Sequence, residues 1–189
     1  MIDVSVDELE IVNIVSSGDL GVEIDLTNLL DDLTATYSSY TPEQFPGLQI
    51  RFESEMPVCN LFSSGKYTIV GAKSHDELHS AQTRLIEELA DLGVLYPDFS
   101  DEEFGVRNIV CTFDINEDLN LNAISLKLGL ENVEYEPEQS PFVVYKPEGE
   151  GVTLTIPSSG RIMITGLTHK EDALIAVRQL LDKLSTDND

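Results

Sequence analysis

From Ile11 to Ser16 the chain alternates, with Ile11, Asn13 and Val15 on one side and Val12, Ile14 and Ser16 on the other, which predicts a strand. The period then changes. Leu26, Leu29, Leu30 and Leu33 recur at helical spacing behind Asp25, a residue suited to capping a helix N-terminus. Tyr40 to Pro46 holds two prolines and is expected to turn. Gly47 to Glu53 and Val58 to Phe62 alternate like paired strands around the polar stretch Ser54 to Pro57. Ser63-Ser64-Gly65 predicts a tight turn into a strand from Lys66 to Gly71. Ser74 then opens a long helix to Leu92, with Leu78, Ala81, Leu85, Ile86 and Leu89 as its buried stripe.

The same order returns. An acidic lead, Met1 to Leu9, precedes the first round, and Gly93 to Glu103 links it to the second. There the pattern predicts a strand from Val106 to Thr112, a helix from Leu119 to Leu128 and a turn from Tyr135 to Pro141. Strands follow over Phe142 to Lys146, Gly151 to Ile156 and Arg161 to Gly166, then a helix from Lys170 to Leu184 and a polar tail. Shifted by 95 residues, FSSGKYTIVGAK (Phe62 to Lys73) overlies PSSGRIMITGLT (Pro157 to Thr168), and YTPEQFP (Tyr40 to Pro46) overlies YEPEQSP (Tyr135 to Pro141). Of the 79 ungapped pairs from Ile11/Val106 to Leu89/Leu184, 21 are identical. Unrelated chains of ordinary composition would match at roughly one position in fifteen. The chain is therefore a duplication, residues 1–94 and 95–189, of one α+β unit. Two such sheets can join into one, with helices on one face and the other left open; an open face carrying Val, Phe and Ile marks a binding surface.

Charge adds a second constraint. With 11 Lys and Arg against 35 Asp and Glu the net charge is −24, divided as −13 over residues 1–94 and −11 over the rest, so the acid is spread over the fold rather than held in a tail. Such a surface repels itself unless salt screens it, and at molar salt the screening length is about 3 Å. A salt-rich cytoplasm is the expected setting; the competing reading is a protein that mimics nucleic acid or binds basic partners. No apolar run is long enough to span a bilayer, and the first residues do not read as an export signal. Cys59 and Cys111 stand far apart in strand-like surroundings and read as buried thiols. His75 and His79 in HDELH imitate a zinc-binding helix, but Asp76 stands where the glutamate base belongs and no third ligand is evident. No phosphate loop, nucleophile elbow or isolated carboxylate pair supports catalysis, and no cofactor is implied.

IVNIV with its partner RNIVCTF, YTPEQFPGLQIRF, FSSGKYTIVGAK and the following Ala- and Leu-containing helix, in this order and doubled, resemble the TATA-box-binding protein (TBP) family of archaea and eukaryotes. The resemblance covers about residues 10 to 185. It implies an α+β saddle: two pseudo-symmetric repeats forming one curved antiparallel sheet, with helices on the convex face and the concave face on the DNA minor groove. It also implies partners: double-stranded promoter DNA, the B-type initiation factor and RNA polymerase; whether the protein forms a homodimer off DNA is left open by the sequence. By the same resemblance Asn13 and Asn108 hydrogen-bond the central base pairs, Val15 and Val110 pack beside them, and Thr68, Val70, Met163 and Thr165 complete that layer. Arg51, Lys66, Lys146 and Arg161 match positions that hold phosphates, and Phe45 and Phe62 match the aromatic pair that wedges into a base step. The family is itself a known example of that kinking mechanism.

The sequence departs from this pattern, most of all in the second copy. Ser140 and Pro157 replace the two aromatics, Asn60 and Thr155 stand where the family is apolar, and Glu148, Gly149, Glu150 and Gly151 rebuild a turn that meets the B-type factor in the family. Pro157 still offers an apolar edge. Two functional readings follow. The first is a general initiation factor that binds and bends A·T-rich promoter DNA and recruits the B-type factor and polymerase, with affinity that holds or rises from moderate to molar KCl. The second is a module of the same fold that has lost its grip on DNA and binds proteins. A domain serving a nuclease or glycosylase is a third, but the chain has no room for the catalytic part.

Overall fold

The computed structural model describes residues 4–96, 99–147 and 151–185. The rebuilt turn at Glu148, Gly149 and Glu150, the first three residues of the acidic lead and residues 186–189 of the polar tail lie outside the described residues. The chain packs as two compact units, Asn13–Arg107 in one and Met1–Val12 with Asn108–Asp189 in the other. The lead thus packs with the second copy, so the compact units do not coincide with halves cut at residue 94.

The first unit takes most of β1 (Glu10–Asp19), then α1 (Leu26–Asp32), β2 (Tyr37–Thr41), β3 (Phe45–Arg51), β4 (Val58–Leu61), β5 (Lys66–Ala72) and α2 (His75–Asp91). Its strands run in the order β2-β3-β4-β5-β1, all neighbours antiparallel. Both helices start where their caps allow. The Asp25 carboxylate accepts from the backbone of Thr27 at 3.1 Å and Asn28 at 3.2 Å, and Ser74 Oγ accepts from Glu77 N at 3.1 Å, each satisfying donors a first helical turn leaves free. Leu78, Ala81, Leu85 and Leu89 of α2 are buried and face β4 and β5. Ile86, expected in that stripe, is only half-buried. Glu88 is buried instead, because Arg84 reaches it at 2.7 Å and the Thr34 amide donates to it at 2.5 Å.

Tyr40 to Pro46 is not one turn. Tyr37–Thr41 is an edge strand and Phe45 already belongs to β3, leaving Pro42 to Gln44 to reverse the chain, closed by Gln44 N donating to Thr41 O at 2.9 Å. Pro46 is tolerated in β3 because the ladder to β2 is irregular beside it, so its missing N–H breaks no regular pair. Among its described residues, the link between the copies is fastened rather than loose. Asp101 accepts from the Tyr67 hydroxyl at 2.8 Å and from Asp19 N at 3.0 Å, and Phe104 stacks on Tyr67 at 6.1 Å. His79 meets Phe104 edge-on at 5.9 Å, which gives it an aromatic neighbour. Burial drives the Tyr67 phenol well above its usual range, with Asp101 adding to the rise and Gln82 opposing it. Cys59 is a free, buried thiol pushed up to about 12 by burial.

The second unit contains β6 (Gly105–Asp114) from Asn108 onward, α3 (Leu121–Leu128), β7 (Val133–Glu134), β8 (Phe142–Tyr145), β9 (Thr153–Pro157), β10 (Arg161–Leu167) and α4 (Lys170–Ser185). Its order, β6-β10-β9-β8-β7, repeats that of the first. The short helix begins at Leu121 rather than Leu119, because Asn120 is the cap and accepts from Ala123 N at 3.2 Å. Ala173, Ala176, Val177, Leu180 and Leu181 make α4's buried face, which packs on α3 and β10. The lead joins this core through buried Val4 and Leu9, and Arg178 donates twice to Val4 O, at 3.2 and 2.6 Å. Cys111 is free and buried, and burial raises its thiol despite the Lys170 charge.

Candidate nucleic-acid interface

In each unit, alternation along the strands sends one set of side chains into the core under the helices and the other onto a half-exposed face. On the first unit's face Val15 stands opposite Val70, and Val70 opposite Val58, giving an apolar row. The next row is polar. Ser17, Thr68, Asn60 and Gln49 follow one another across four strands, with Asn60 Nδ2 donating to Thr68 Oγ1 at 3.1 Å and Gln49 Nε2 to Asn60 Oδ1 at 3.4 Å. Asn60 is thus satisfied by its neighbours.

Phe45 and Phe62 meet edge to face, centroids 5.8 Å apart and planes at 62°. Gly47 lies under both rings: a Cβ there would meet Phe45 at 2.7 Å and Phe62 at 3.0 Å. The expected aromatic pair is therefore in contact, with Phe45 at the exposed edge. Of the cations, Lys66 is exposed opposite Asp19, and Arg51 Nη1 donates to Ser54 O at 3.4 Å. A further cation was not anticipated from the sequence. Arg107 is exposed, and its Nε donates to Ser17 Oγ at 2.7 Å, which brings the guanidinium to the polar row. Strand alternation gives no hint of it, since it would send Arg107 away from the side Asn108 takes, and the first copy has Val12 at that place.

On the second unit's face Thr112 stands opposite Met163 and Met163 opposite Thr155, while Thr165 pairs with Thr153. Val110 is half-buried on β6, and Pro157 ends β9 directly across from Phe142. Ser140 lies before β8, its hydroxyl donating to Phe142 O at 3.4 Å. Both cations here are already engaged by carboxylates. Lys146 Nζ lies 2.6 Å from Glu134, and Arg161 Nη2 lies 3.1 Å from Glu10, with all four groups exposed. Asp114 is also Arg161's cross-strand partner.

Asn13 and Asn108 are held identically, each inside its own unit. Gly71 N donates to Asn13 Oδ1 at 2.8 Å, and Gly166 N donates to Asn108 Oδ1 at 3.0 Å. Both glycines have positive φ, 100° and 85°, where a β-carbon would strain the backbone, and both lie at irregularities in the strand pairing. The backbone donor fixes which end of each amide is oxygen. That leaves each Nδ2 without a partner among the described residues, as a two-hydrogen donor on a half-exposed face. Gly71 and Gly166 were visible beforehand as an identical pair 95 residues apart, although their function was not.

A family model described as Transcription factor TFIID (or TATA-binding protein, TBP) matches residues 8–92 and again 103–186. TATA-box-binding protein C of Halobacterium salinarum is 43% identical over 176 residues, 93% of this chain and 97% of its own. The TATA-box-binding protein of Haloarcula marismortui is 41% identical over 95% of this chain and 94% of its own. Among solved structures, the Methanococcus jannaschii TBP superposes with a TM-score of 0.77 at 37% identity, over 93% of this chain and 97% of that one. The α+β fold, the halophilic archaeal kinship and the doubled architecture all agree with these relatives, and the chain belongs to the TATA-binding-protein family of transcription factors.

Proposed function

We propose that this protein is a general transcription initiation factor that binds A·T-rich promoter DNA in the minor groove, bends it, and presents it to the B-type initiation factor and RNA polymerase in the cytoplasm of an archaeal cell. The observation that carries this is the pair of outward amide donors on Asn13 and Asn108. In the minor groove A·T pairs present only acceptors, whereas G·C pairs add the guanine amino group, itself a donor. In each unit a face that carries such a donor, with Val15, Thr68 and Val70 in the first and Val110, Met163 and Thr165 in the second, suits the first and opposes the second. Phe45 and Phe62 supply the kinking wedge, and Arg51, Lys66, Lys146 and Arg161 set register on phosphates. A mobility-shift assay in high KCl with an A·T-rich duplex tests this. A shift that disappears in Phe45→Ala/Phe62→Ala is expected; its absence in the unaltered protein would return the chain to the protein-binding reading.

The two ion pairs modify the phosphate contacts. Exposed pairs of this kind contribute about 0.2–1 kcal/mol each, so Lys146 and Arg161 must give up only a weak partner to reach a phosphate. Glu134→Gln and Glu10→Gln are expected to tighten binding about twofold to fivefold at moderate salt, with the gain shrinking toward molar KCl as screening takes over. Titrations of both variants across KCl concentration check this, and equal gains at all concentrations would contradict it.

A further inference from the structure

Gly47 and Phe142 occupy the same place in the two copies, 95 residues apart. In the first copy two rings share the space above the glycine, since a Cβ there would lie 2.7 Å from Phe45 Cε1 and 3.0 Å from Phe62 Cε1. Those rings need the missing side chain. In the second copy all three members change together: Ser140 for Phe45, Phe142 for Gly47 and Pro157 for Phe62. By that alignment a side chain at position 142 starts where the first copy keeps space open for its rings, and a small residue at position 140 suits it. Serine there is the matching change, and its hydroxyl turns to the Phe142 carbonyl at 3.4 Å.

The rest of the ladder supports an exchange of position rather than a loss. Val143 and Tyr145 on β8 are buried, so Phe142 and Val144 fall on the opposite, half-exposed face. Phe142 pairs directly with Pro157 across β8 and β9, where facing Cβ atoms lie about 5 Å apart. At the matching places of the first copy Phe62 is bulky and Gly47 small; in the second the bulky member is Phe142, with Pro157 across from it.

We infer that Phe142, supported by Pro157, is the second copy's wedge: the ring that presses on an A·T-rich base step in place of the aromatic missing at Ser140. This rests on the minor-groove reading proposed above. A flat ring contacts any base through its π-face, so the role needs an exposed aromatic edge and a stiff support rather than a particular hydrogen bond.

Duplexes carrying 2-aminopurine at one or the other end of an A·T-rich site, titrated in high KCl, test the assignment. The unaltered protein is expected to raise fluorescence at both ends, because each wedge unstacks its step. Phe142→Ala should remove the rise at one end only and weaken binding about tenfold, or about 1.4 kcal/mol. Phe45→Ala/Phe62→Ala should silence the opposite end. Phe142→Leu keeps apolar volume without the ring and should fold while losing the same signal as Phe142→Ala. Ser140→Phe alone should lower the melting temperature, and Ser140→Phe/Phe142→Gly should restore both folding and fluorescence at that end. Binding and fluorescence at both ends unchanged in Phe142→Ala or Phe142→Leu would overturn the inference while leaving the minor-groove reading intact. If the unaltered protein binds no duplex, both fall.

Discussion

Asn13→Asp and Asn108→Asp are each expected to weaken binding to an A·T-rich duplex about 100-fold, or about 2.7 kcal/mol, while leaving the melting temperature nearly unchanged. The separation of the two effects follows from which end of the amide does what. Aspartate keeps an oxygen where Gly71 N or Gly166 N donates, so the local backbone retains its partner. What is lost is the Nδ2 donor, replaced by a charged acceptor facing acceptor atoms on adenine and thymine. An unsatisfied buried polar group costs about 1–3 kcal/mol, and like-signed approach adds to that once water is expelled. Fluorescence anisotropy titrations beside thermal melts in the same buffer check both halves. If either variant binds like the unaltered protein, its asparagine does not face the groove.

Gly18→Ala is expected to destabilise the fold by about 2–3 kcal/mol, which for a chain of this length lowers the melting midpoint by about 5–10 °C. A Cβ at Gly18 would lie 2.1 Å from Asp101 Oδ2 and 2.5 Å from Tyr67 Cζ, and these side chains are held in place: the Tyr67 hydroxyl donates to Asp101 and accepts from Gln82, while Asp101 also accepts from Asp19 N. None can yield alone. The second copy shows what else fits the place: Phe113 stands for Gly18 and Ile162 for Tyr67, again as direct cross-strand partners. One copy closes this corner with an apolar pair; the other uses a tyrosine bridged to the link between repeats. Differential scanning calorimetry at high salt measures the shift, and a midpoint within 2 °C of the unaltered protein would contradict this packing.

Much of this arrangement is legible in the sequence. The capped helices are, because Asp25 and Ser74 stand directly ahead of helically spaced apolar stretches and satisfy donors a helix must leave free. The edge strands are not: Tyr37–Thr41 has no apolar alternation, and Val133–Glu134 is only two residues long. Both owe their form to a neighbouring strand rather than to their own residues. The repeat aligned the site residues, yet it also hid Phe142 behind Gly47, since a residue matched to glycine carries no expectation of its own. Ion pairs such as Glu10–Arg161, separated by 151 residues, exist only once the start of β1 lies with the second unit. Arg107 is not legible in the pattern for a related reason: its reach to Ser17 depends on a long side chain, which alternation does not describe.

The central claim, that this face reads the floor of the minor groove, is tested most directly by replacing A·T pairs in the site with inosine·cytosine and, separately, with guanine·cytosine. Inosine lacks the amino group that guanine puts into the minor groove, while in the major groove the two substituted duplexes look alike. The account predicts that the inosine duplex binds in high KCl about as tightly as the A·T site and that the guanine duplex does not. Equal loss in both would show that the protein reads DNA from the other side, or reads no groove at all.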